Sequence, residues 1–187
     1  MIIVLAGRRI DASNAETPRL PLERVEAVAE KIGQEFTRLK ADTLICSAAC
    51  GADLIALRVA KTRGMRRRIV LPFGPALFRE KSVTDRPGNE EWNWGKLFDE
   101  LCGEARGSGE LVVAERTEGD DTAAYKKANE RIFEEAAALL AAAGETTAGG
   151  TAIIVWEGSS RGKSDLTMEF AERATAAGYQ VVPVLTN

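Results

Sequence analysis

Histidine is absent from the 187-residue sequence. Its absence excludes Ser-His and Cys-His catalytic pairs and any histidine-based metal site. Acid–base chemistry would therefore have to use Asp, Glu, Lys, Tyr or Cys side chains. The three cysteines, at positions 46, 50 and 102, are odd in number and fit no metal-ligand spacing, so we expect reduced thiols in a cytosol. Neither a metal nor a cofactor is predicted.

Long apolar runs are also absent, since no stretch approaches the ~20 residues that a membrane-spanning helix needs. The segment MIIVLAG is too short for a signal sequence and has no basic leader, so we expect a cytoplasmic protein. The net charge of −3 and a pI near 5.3 give no overall basic surface, so nucleic acid is not an expected partner. The basic run RGMRRR at 63–68 falls between a predicted helix and the next strand and is expected to be a solvated connection.

The residues that are present, 45% apolar and 28% charged, are typical of one globular domain spanning 1–187. Short apolar runs alternate with turns and segments of helical period. The predicted strands are 2–7, 43–49, 67–73, 110–115, 151–158 and 181–185, and the long helix after the fourth runs from about Asp121 to Ala143. This alternation predicts a Rossmann-like three-layer α/β sandwich, with a mainly parallel sheet of about six strands and helices on both faces. A flavodoxin-like strand order remains an alternative.

The connection at 74–109 is far longer than the usual ~2–6 residues, and long ordered connections are often functional. It shows no convincing strand, and residues 93–105 are expected to form a helix. Trp92 and Trp94 just precede that helix. They would either pack the helix onto the sheet or form a wall or lid that stacks on a planar ligand.

Ligands of open parallel sheets bind at the carboxyl ends of the strands. Three strand-to-helix turns reach that edge, and the predicted helix at 121–143 adds a Tyr and an Asn four positions apart. The candidate ligand-binding residues are Gly7, Arg8, Arg9, Gly51, Ala52, Asp53, Tyr125, Asn129, Gly158, Arg161, Gly162, Lys163, Ser164, Asp165 and Thr167. Arginine matches phosphate oxygens with a planar fork, and glycine lets a ligand approach backbone N–H groups.

The segment from Gly158 to Ser164 has the wrong spacing for a Walker A loop, because the position that should be glycine is Glu157. A polar turn at a helix N-terminus still favours an anion. Ser164 or Asp165 could alternatively serve only as the helix N-cap, and Asp53 could do the same for its own helix.

Five segments together resemble the SLOG superfamily, the Rossmannoid group that includes the LOG phosphoribohydrolases and the lysine decarboxylase-like proteins. They are GRR, SAACGADLIALRVAKTRG, LPF, AYKKANERIFEEA and IIVWEGSSRGKSDLTMEFAERATAAGYQVVPV. The resemblance runs from residue 2 to residue 185 and is loosest at 74–109. It implies a nucleotide or nucleotide derivative as the small-molecule ligand, and a homodimer, since relatives are often dimers.

Some members of the group cleave the N-glycosidic bond of nucleoside monophosphates, and others are thought to sense nucleotide signals in bacterial conflict systems. The enzymes carry a PGGxGTxxE loop. Here Thr167 matches its threonine, the PGG is missing, and Glu169 stands one position early. The arginine–lysine pair that the enzymes carry after their third strand is not evident after Phe73. The departures favour a sensor or binding protein, and the alternative is a phosphoribohydrolase with Glu169 or Asp53 as its catalytic carboxylate.

Overall fold

The structure, a computed structural model, describes residues 1–114, 120–146, 150–162 and 165–187. Strands and helices alternate along the chain as the sequence predicts. The strands are β1 (Ile2–Gly7), β2 (Thr43–Cys46), β3 (Arg66–Leu71), β4 (Leu111–Val113), β5 (Thr151–Trp156) and β6 (Gln180–Leu185). The helices are α1 (Val25–Arg38), α2 (Ala52–Thr62), α3 (Pro75–Ser82), α4 (Trp94–Gly107), α5 (Asp121–Ala142) and α6 (Leu166–Ala176), and a short 3-10 turn, Leu22–Arg24, precedes α1.

The described strands form one six-stranded sheet in the order β4-β3-β2-β1-β5-β6, and every pairing within it is parallel. The chain builds outward from β1 to β4, then returns to place β5 on the other side of β1. This Rossmann-like order has three strands on one side of β1 and two on the other, whereas a flavodoxin-like order has a single strand on one side of β1, so the flavodoxin-like alternative is wrong. The direction of strand progression reverses between β1 and β5, and that switch point is where open α/β sheets bind ligands.

Alternate residues of each strand point to opposite faces of the sheet, which gives two hydrophobic layers. On one face Ile3, Leu5 and Leu44 join the cluster that includes Ile32 and Phe36 of α1 and residues of α2 and α4. On the other face the cluster includes Val4 and Ile45 with residues of α5 and α6 such as Ile132 and Phe170. The result is the predicted three-layer sandwich. No helix in the ranges that the structure describes combines the length and apolar character needed to cross a membrane.

The long connection at 74–109 holds α3 and the predicted helix, α4, and both tryptophans pack inside the protein. Trp92 and Trp94 are each 3% exposed, with ring centroids 5.3 Å apart. The Trp92 Nε1 donates to Glu26 Oε1 at 2.5 Å, and the Arg58 guanidinium lies 4.2 Å above its ring. The Trp94 Nε1 donates to the Pro87 carbonyl at 2.8 Å. The packing interpretation is therefore the one that the structure shows.

The basic run at 63–68 lies at the amino edge of the sheet, away from the predicted ligand edge. Arg66 and Arg68 both pair with Glu110, and Arg67 pairs with Glu104. Arg68 also reaches Glu135 of α5 at 2.5 Å. These arginines stabilise the start of β3 through carboxylate partners.

Candidate functional site

A cavity of about 460 Å³ opens at the carboxyl edge of the sheet, beside the switch point between β1 and β5. The end of β1 with the loop after it, the turn after β2 and the start of α2 form one part of its wall. Residues of α3 and the loop after it, of α5, and of the turn and first residues of α6 form the rest. Predicted residues that line it are Gly7, Arg8, Arg9, Asp53, Tyr125, Asn129, Arg161 and Thr167. The fold thus brings together the first strand-to-helix turn, α5 and the turn before α6.

The remaining predicted residues do not line this cavity. Those that the structure describes are Gly51, Ala52, Gly158, Gly162, Asp165 and Glu169. Lys163 and Ser164 lie outside the described residues. Glu169, the sequence-based candidate for catalysis, forms an ion pair with Lys126 at 3.0 Å and is 39% exposed.

Arg8 lies at the switch point, and its guanidinium bonds to protein groups there. The side chain is 3% exposed. Its Nε donates to Glu157 Oε2 at 2.6 Å, its Nη1 donates to Asp165 Oδ1 at 2.6 Å, and its Nη2 donates to the Ser159 carbonyl at 2.8 Å. The sequence predicts that Arg8 contacts the ligand. In the structure its guanidinium N–H groups instead link the end of β1 to the end of β5 and to the start of α6.

Asp165 is the N-cap of α6. It accepts hydrogen bonds from the backbone N–H groups of Thr167 at 3.1 Å, Met168 at 3.4 Å and Arg161 at 2.7 Å. Burial alone would raise the pKa of Asp165, but the hydrogen bonds from Arg8 and from these N–H groups hold it well below its usual range. The carboxylate of Asp165 therefore occupies the anion position at this helix terminus.

Gly51 is required by the packing of the chain rather than by a ligand. Its φ of +110° is rarely adopted by residues with a side chain, and a Cβ there would lie 2.6 Å from the Arg8 carbonyl oxygen. The backbone of Ala52 donates to that same oxygen at 3.0 Å. The space where we expected a ligand to approach Gly51 is thus filled by the chain leaving β1.

Asp53 is a buried carboxyl group in the wall of the cavity. Its Oδ2 accepts a hydrogen bond from the Ala49 N–H at 3.1 Å, and Asp53 is only 8% exposed. Burial raises the pKa of Asp53 to about 7, against the opposing effects of the Ala49 hydrogen bond and the charge of Arg9. The group therefore changes its protonation near neutral pH, as acid–base residues of enzymes do.

Tyr125 and Asn129 present one face of α5 to the cavity, as their spacing predicts. The Tyr125 hydroxyl lies 2.6 Å from Ser82 Oγ of α3. Its ring meets Phe73 edge-on, with centroids 5.6 Å apart. These contacts fix the tyrosine in place at the cavity wall.

Sequence reasoning missed several polar residues of the wall, and most of them come from connections between elements. They are Asp11, Thr17, Arg19, Ser47, Ser82 and Arg86. Arg19 forms an ion pair with Glu157, while Arg9 and Arg86 both pair with Asp85. The unusual length of the connections after β1 and within 74–109 indicated that they could contribute to a site. Length alone does not predict which of their residues faces the cavity.

Groups of three or more potential metal ligands (His, Cys, Asp or Glu) do not occur among the described residues. No protein-family model matches the sequence, and a search of curated proteins returns no significant match. Among solved structures the chain matches DNA processing protein A (DprA) from Streptococcus pneumoniae, with a TM-score of 0.35 and 14% sequence identity. The match covers 98% of this chain and 58% of DprA, so the chain spans little more than half the length of that protein.

Proposed function

We propose that the protein binds a nucleotide or nucleotide derivative in the cavity at the carboxyl edge of its sheet, as a sensor or binding protein. The observation that carries the proposal is the place of this cavity beside the switch point, together with the arginines in its wall. Its volume of about 460 Å³ lies within the ~300–1,000 Å³ of small-molecule sites.

The charge of the wall favours an anionic ligand. Arg8 is neutralised by Glu157 and Asp165, but the wall also contains Arg9, Arg19, Arg86 and Arg161. The Arg161 side chain is 49% exposed, and its Nε is 3.8 Å from the carboxylate of Asp165. A guanidinium held so loosely can reorient onto phosphate oxygens.

The rest of the wall suits a nucleoside. Hydroxyl and amide groups of Ser47, Tyr125 and Asn129 offer hydrogen bonds to a ribose or a base edge. Partly exposed apolar groups such as the Leu166 side chain and the Tyr125 ring offer surface to the face of a base. This combination of a few polar groups on an apolar wall is typical of small-molecule sites.

The resemblance to the SLOG superfamily supports the same function and favours binding over catalysis. The PGG of the enzymes' phosphate loop is missing before Thr167, and Glu169 stays outside the cavity in its ion pair with Lys126. The carboxylate that the enzyme loop would supply near the ribose is thus not where the chemistry needs it.

Calorimetric titration with nucleoside 5′-monophosphates and with the corresponding nucleosides tests the proposal. We expect the monophosphates to bind and the nucleosides to bind at least tenfold more weakly. Arg161→Ala should weaken monophosphate binding by a similar factor. Arg173→Ala is the matched control, because that arginine of α6 is 46% exposed and pairs with Glu130. If no nucleotide binds, or if both variants behave alike, the assignment of this site is wrong.

Asp53 favours one second candidate, a phosphoribohydrolase acting on nucleoside 5′-monophosphates. A buried carboxyl with a pKa near 7 in a cavity wall could donate or accept a proton as the glycosidic bond breaks. Prolonged incubation of the protein with each monophosphate, followed by chromatography, would detect free base. Base release that Asp53→Asn abolishes would establish the enzyme, and monophosphates recovered intact would exclude it.

A further inference from the structure

The arginines of the cavity wall form two clusters, Arg9 with Arg86 and Arg19 with Arg161. Arg9 and Arg86 both line the cavity and share one carboxylate, Asp85, whose oxygens contact Arg9 Nη2 and lie 3.5 Å from Arg86 Nε. The Cys50 thiol, 3.5 Å from Arg9 Nη2, adds no charge because burial raises its pKa. Two guanidinium groups therefore share the Asp85 carboxylate, and Asp53, whose pKa burial raises to about 7, adds only part of a negative charge near Arg9.

Both arginines also have an unsatisfied donor. The Nε atoms of Arg9 and Arg86 are buried, and neither has a hydrogen-bond partner in the part of the chain that the structure describes. A buried N–H without a partner destabilises a protein by about 1–3 kcal/mol. Asp85 and the Cys50 thiol are the side-chain acceptors for these two guanidinium groups among the described residues, so other N–H donors of the two groups remain for a ligand.

The Arg9–Arg86 cluster and the Arg19–Arg161 cluster flank the end of β1 from opposite sides. Arg9 and Arg86 are held by groups that follow β2 and α3, namely Cys50 and Asp85. Arg19 is held by Glu157 after β5, and Arg161 lies in the turn between β5 and α6. In the sheet β2 and β5 are the two neighbours of β1, so their ends are about 10 Å apart, which is two strand spacings.

The second side also presents guanidinium groups. Arg8, Arg19 and Arg161 face Glu157 and Asp165, and the Asp11 carboxylate, which also lines the cavity, accepts from the backbone N–H groups of Arg19 and Leu20. The cavity therefore has two sides that carry arginines, separated by the polar and apolar wall that suits a nucleoside. A ligand with a single phosphoryl group can satisfy only one of them.

From this arrangement we infer that the ligand is a nucleoside carrying phosphoryl groups at two separate positions of its ribose, as in a nucleoside 3′,5′-bisphosphate. One group contacts Arg9 and Arg86, and the other contacts Arg19 and Arg161. The inference rests on the proposed function and names the class of nucleotide that the site prefers. A 5′-diphosphate does not fit as well, because a single bridging oxygen holds its two phosphorus atoms too close together to reach both sides.

Calorimetric titration of the purified chain with the 5′-monophosphate, 5′-diphosphate and 3′,5′-bisphosphate of adenosine and of guanosine tests this. For at least one base, the bisphosphate should bind at least tenfold more tightly than the monophosphate, and the diphosphate should not share that gain. Arg86→Gln removes the charge but keeps much of the side-chain volume, and it should bring the ratio of the bisphosphate and monophosphate affinities close to one. Arg79→Ala is the matched control, since Arg79 of α3 is exposed and pairs with Asp99.

The outcomes separate the two proposals. If the monophosphate and bisphosphate bind equally and Arg161→Ala still weakens both, the preference is wrong and the nucleotide site stands. Equal gains for the diphosphate and the bisphosphate would mean that total charge, and not the two separated sides, sets affinity. If none of the nucleotides binds, both proposals are wrong. Should Arg86→Gln not fold by circular dichroism, Arg9→Gln supplies the same measurement from the other arginine of the cluster.

Discussion

The Arg8 guanidinium and the Asp165 carboxylate form a buried ion pair at the switch point of the sheet, with Nη1 2.6 Å from Oδ1. The two residues are 157 positions apart in the chain. Their pairing joins the first strand to the helix that follows the fifth, and it also positions the N-cap of that helix. The ion pair thus stabilises the wall beside which the ligand is proposed to bind.

Replacing Asp165 should strongly destabilise the fold. Asp165→Asn leaves the buried Arg8 with one carboxylate partner instead of two, so the free energy of unfolding should fall by roughly 3–5 kcal/mol. Urea unfolding measures the change. Glu169→Gln on the same helix removes only an exposed ion pair with Lys126 and should cost less than about 1 kcal/mol. Equal effects of the two substitutions would contradict a structural role for the buried pair.

Asp53 should make stability depend on pH in the opposite sense from Asp165. Its pKa is about 7 in the folded protein and ~3.9 in an unfolded chain, so the folded state keeps a proton that the unfolded state has lost. Stability should therefore fall as the pH rises from about 4 to about 7, by up to about 1.4 kcal/mol per pH unit. Asp53→Asn keeps an oxygen that accepts from the Ala49 N–H and removes the ionisation.

The stability of Asp53→Asn relative to the unsubstituted protein should therefore increase between pH 4.5 and pH 7.5. Urea unfolding at several pH values measures this difference. Asp99→Asn is the control, because its carboxylate is 55% exposed and pairs with Arg79. A difference that stays constant with pH would mean that the carboxyl of Asp53 titrates normally.

Gly51 should be far less replaceable than another glycine with positive φ. A Cβ at Gly51 would lie 2.6 Å from the Arg8 carbonyl oxygen and 2.8 Å from Arg9 Cα, so Gly51→Ala combines a backbone clash with an unfavourable φ. Gly64, with φ of +66°, has nothing within 4 Å of such a Cβ. We expect Gly64→Ala to cost about 1–2 kcal/mol, and Gly51→Ala to exceed that clearly. Thermal unfolding would show comparable losses if the close approach were unimportant.

The hydrogen bond between Tyr125 and Ser82 should be measurable by a double-mutant cycle. Tyr125→Phe leaves the Ser82 hydroxyl, in a residue 1% exposed, without its partner at 2.6 Å. Each single substitution should destabilise the protein by about 1–3 kcal/mol, and Tyr125→Phe with Ser82→Ala by less than the sum of the two. Additive losses in urea unfolding would mean that the two hydroxyl groups do not interact.

Local sequence patterns predicted the strands and helices, because the spacing of apolar residues in each segment reflects which face of that strand or helix is buried. The alternation of β-branched runs with helical periods located the strands, and the long predicted helix from about Asp121 to Ala143 corresponds to α5. The rule for open sheets also placed Arg9, Tyr125 and Arg161 correctly at one edge. Strand order was not predictable, because the flavodoxin-like and Rossmann orders bury the same runs.

The sequence by itself determined the three-layer α/β architecture and the sheet edge at which the candidate binding residues lie, since periodicity and the rule for parallel sheets depend only on local order. Tertiary structure decided which charges remain available there. Arg8 and Arg9 are adjacent and chemically identical, but Arg8 is neutralised by Glu157 and Asp165, while Arg9 shares the single Asp85 carboxylate with Arg86. Arg19 and Arg86 lie in irregular connections, and no local sequence pattern predicts the path that these connections take. Which arginine meets a carboxylate depends on contacts between residues far apart in the chain, and only the folded chain brings them together.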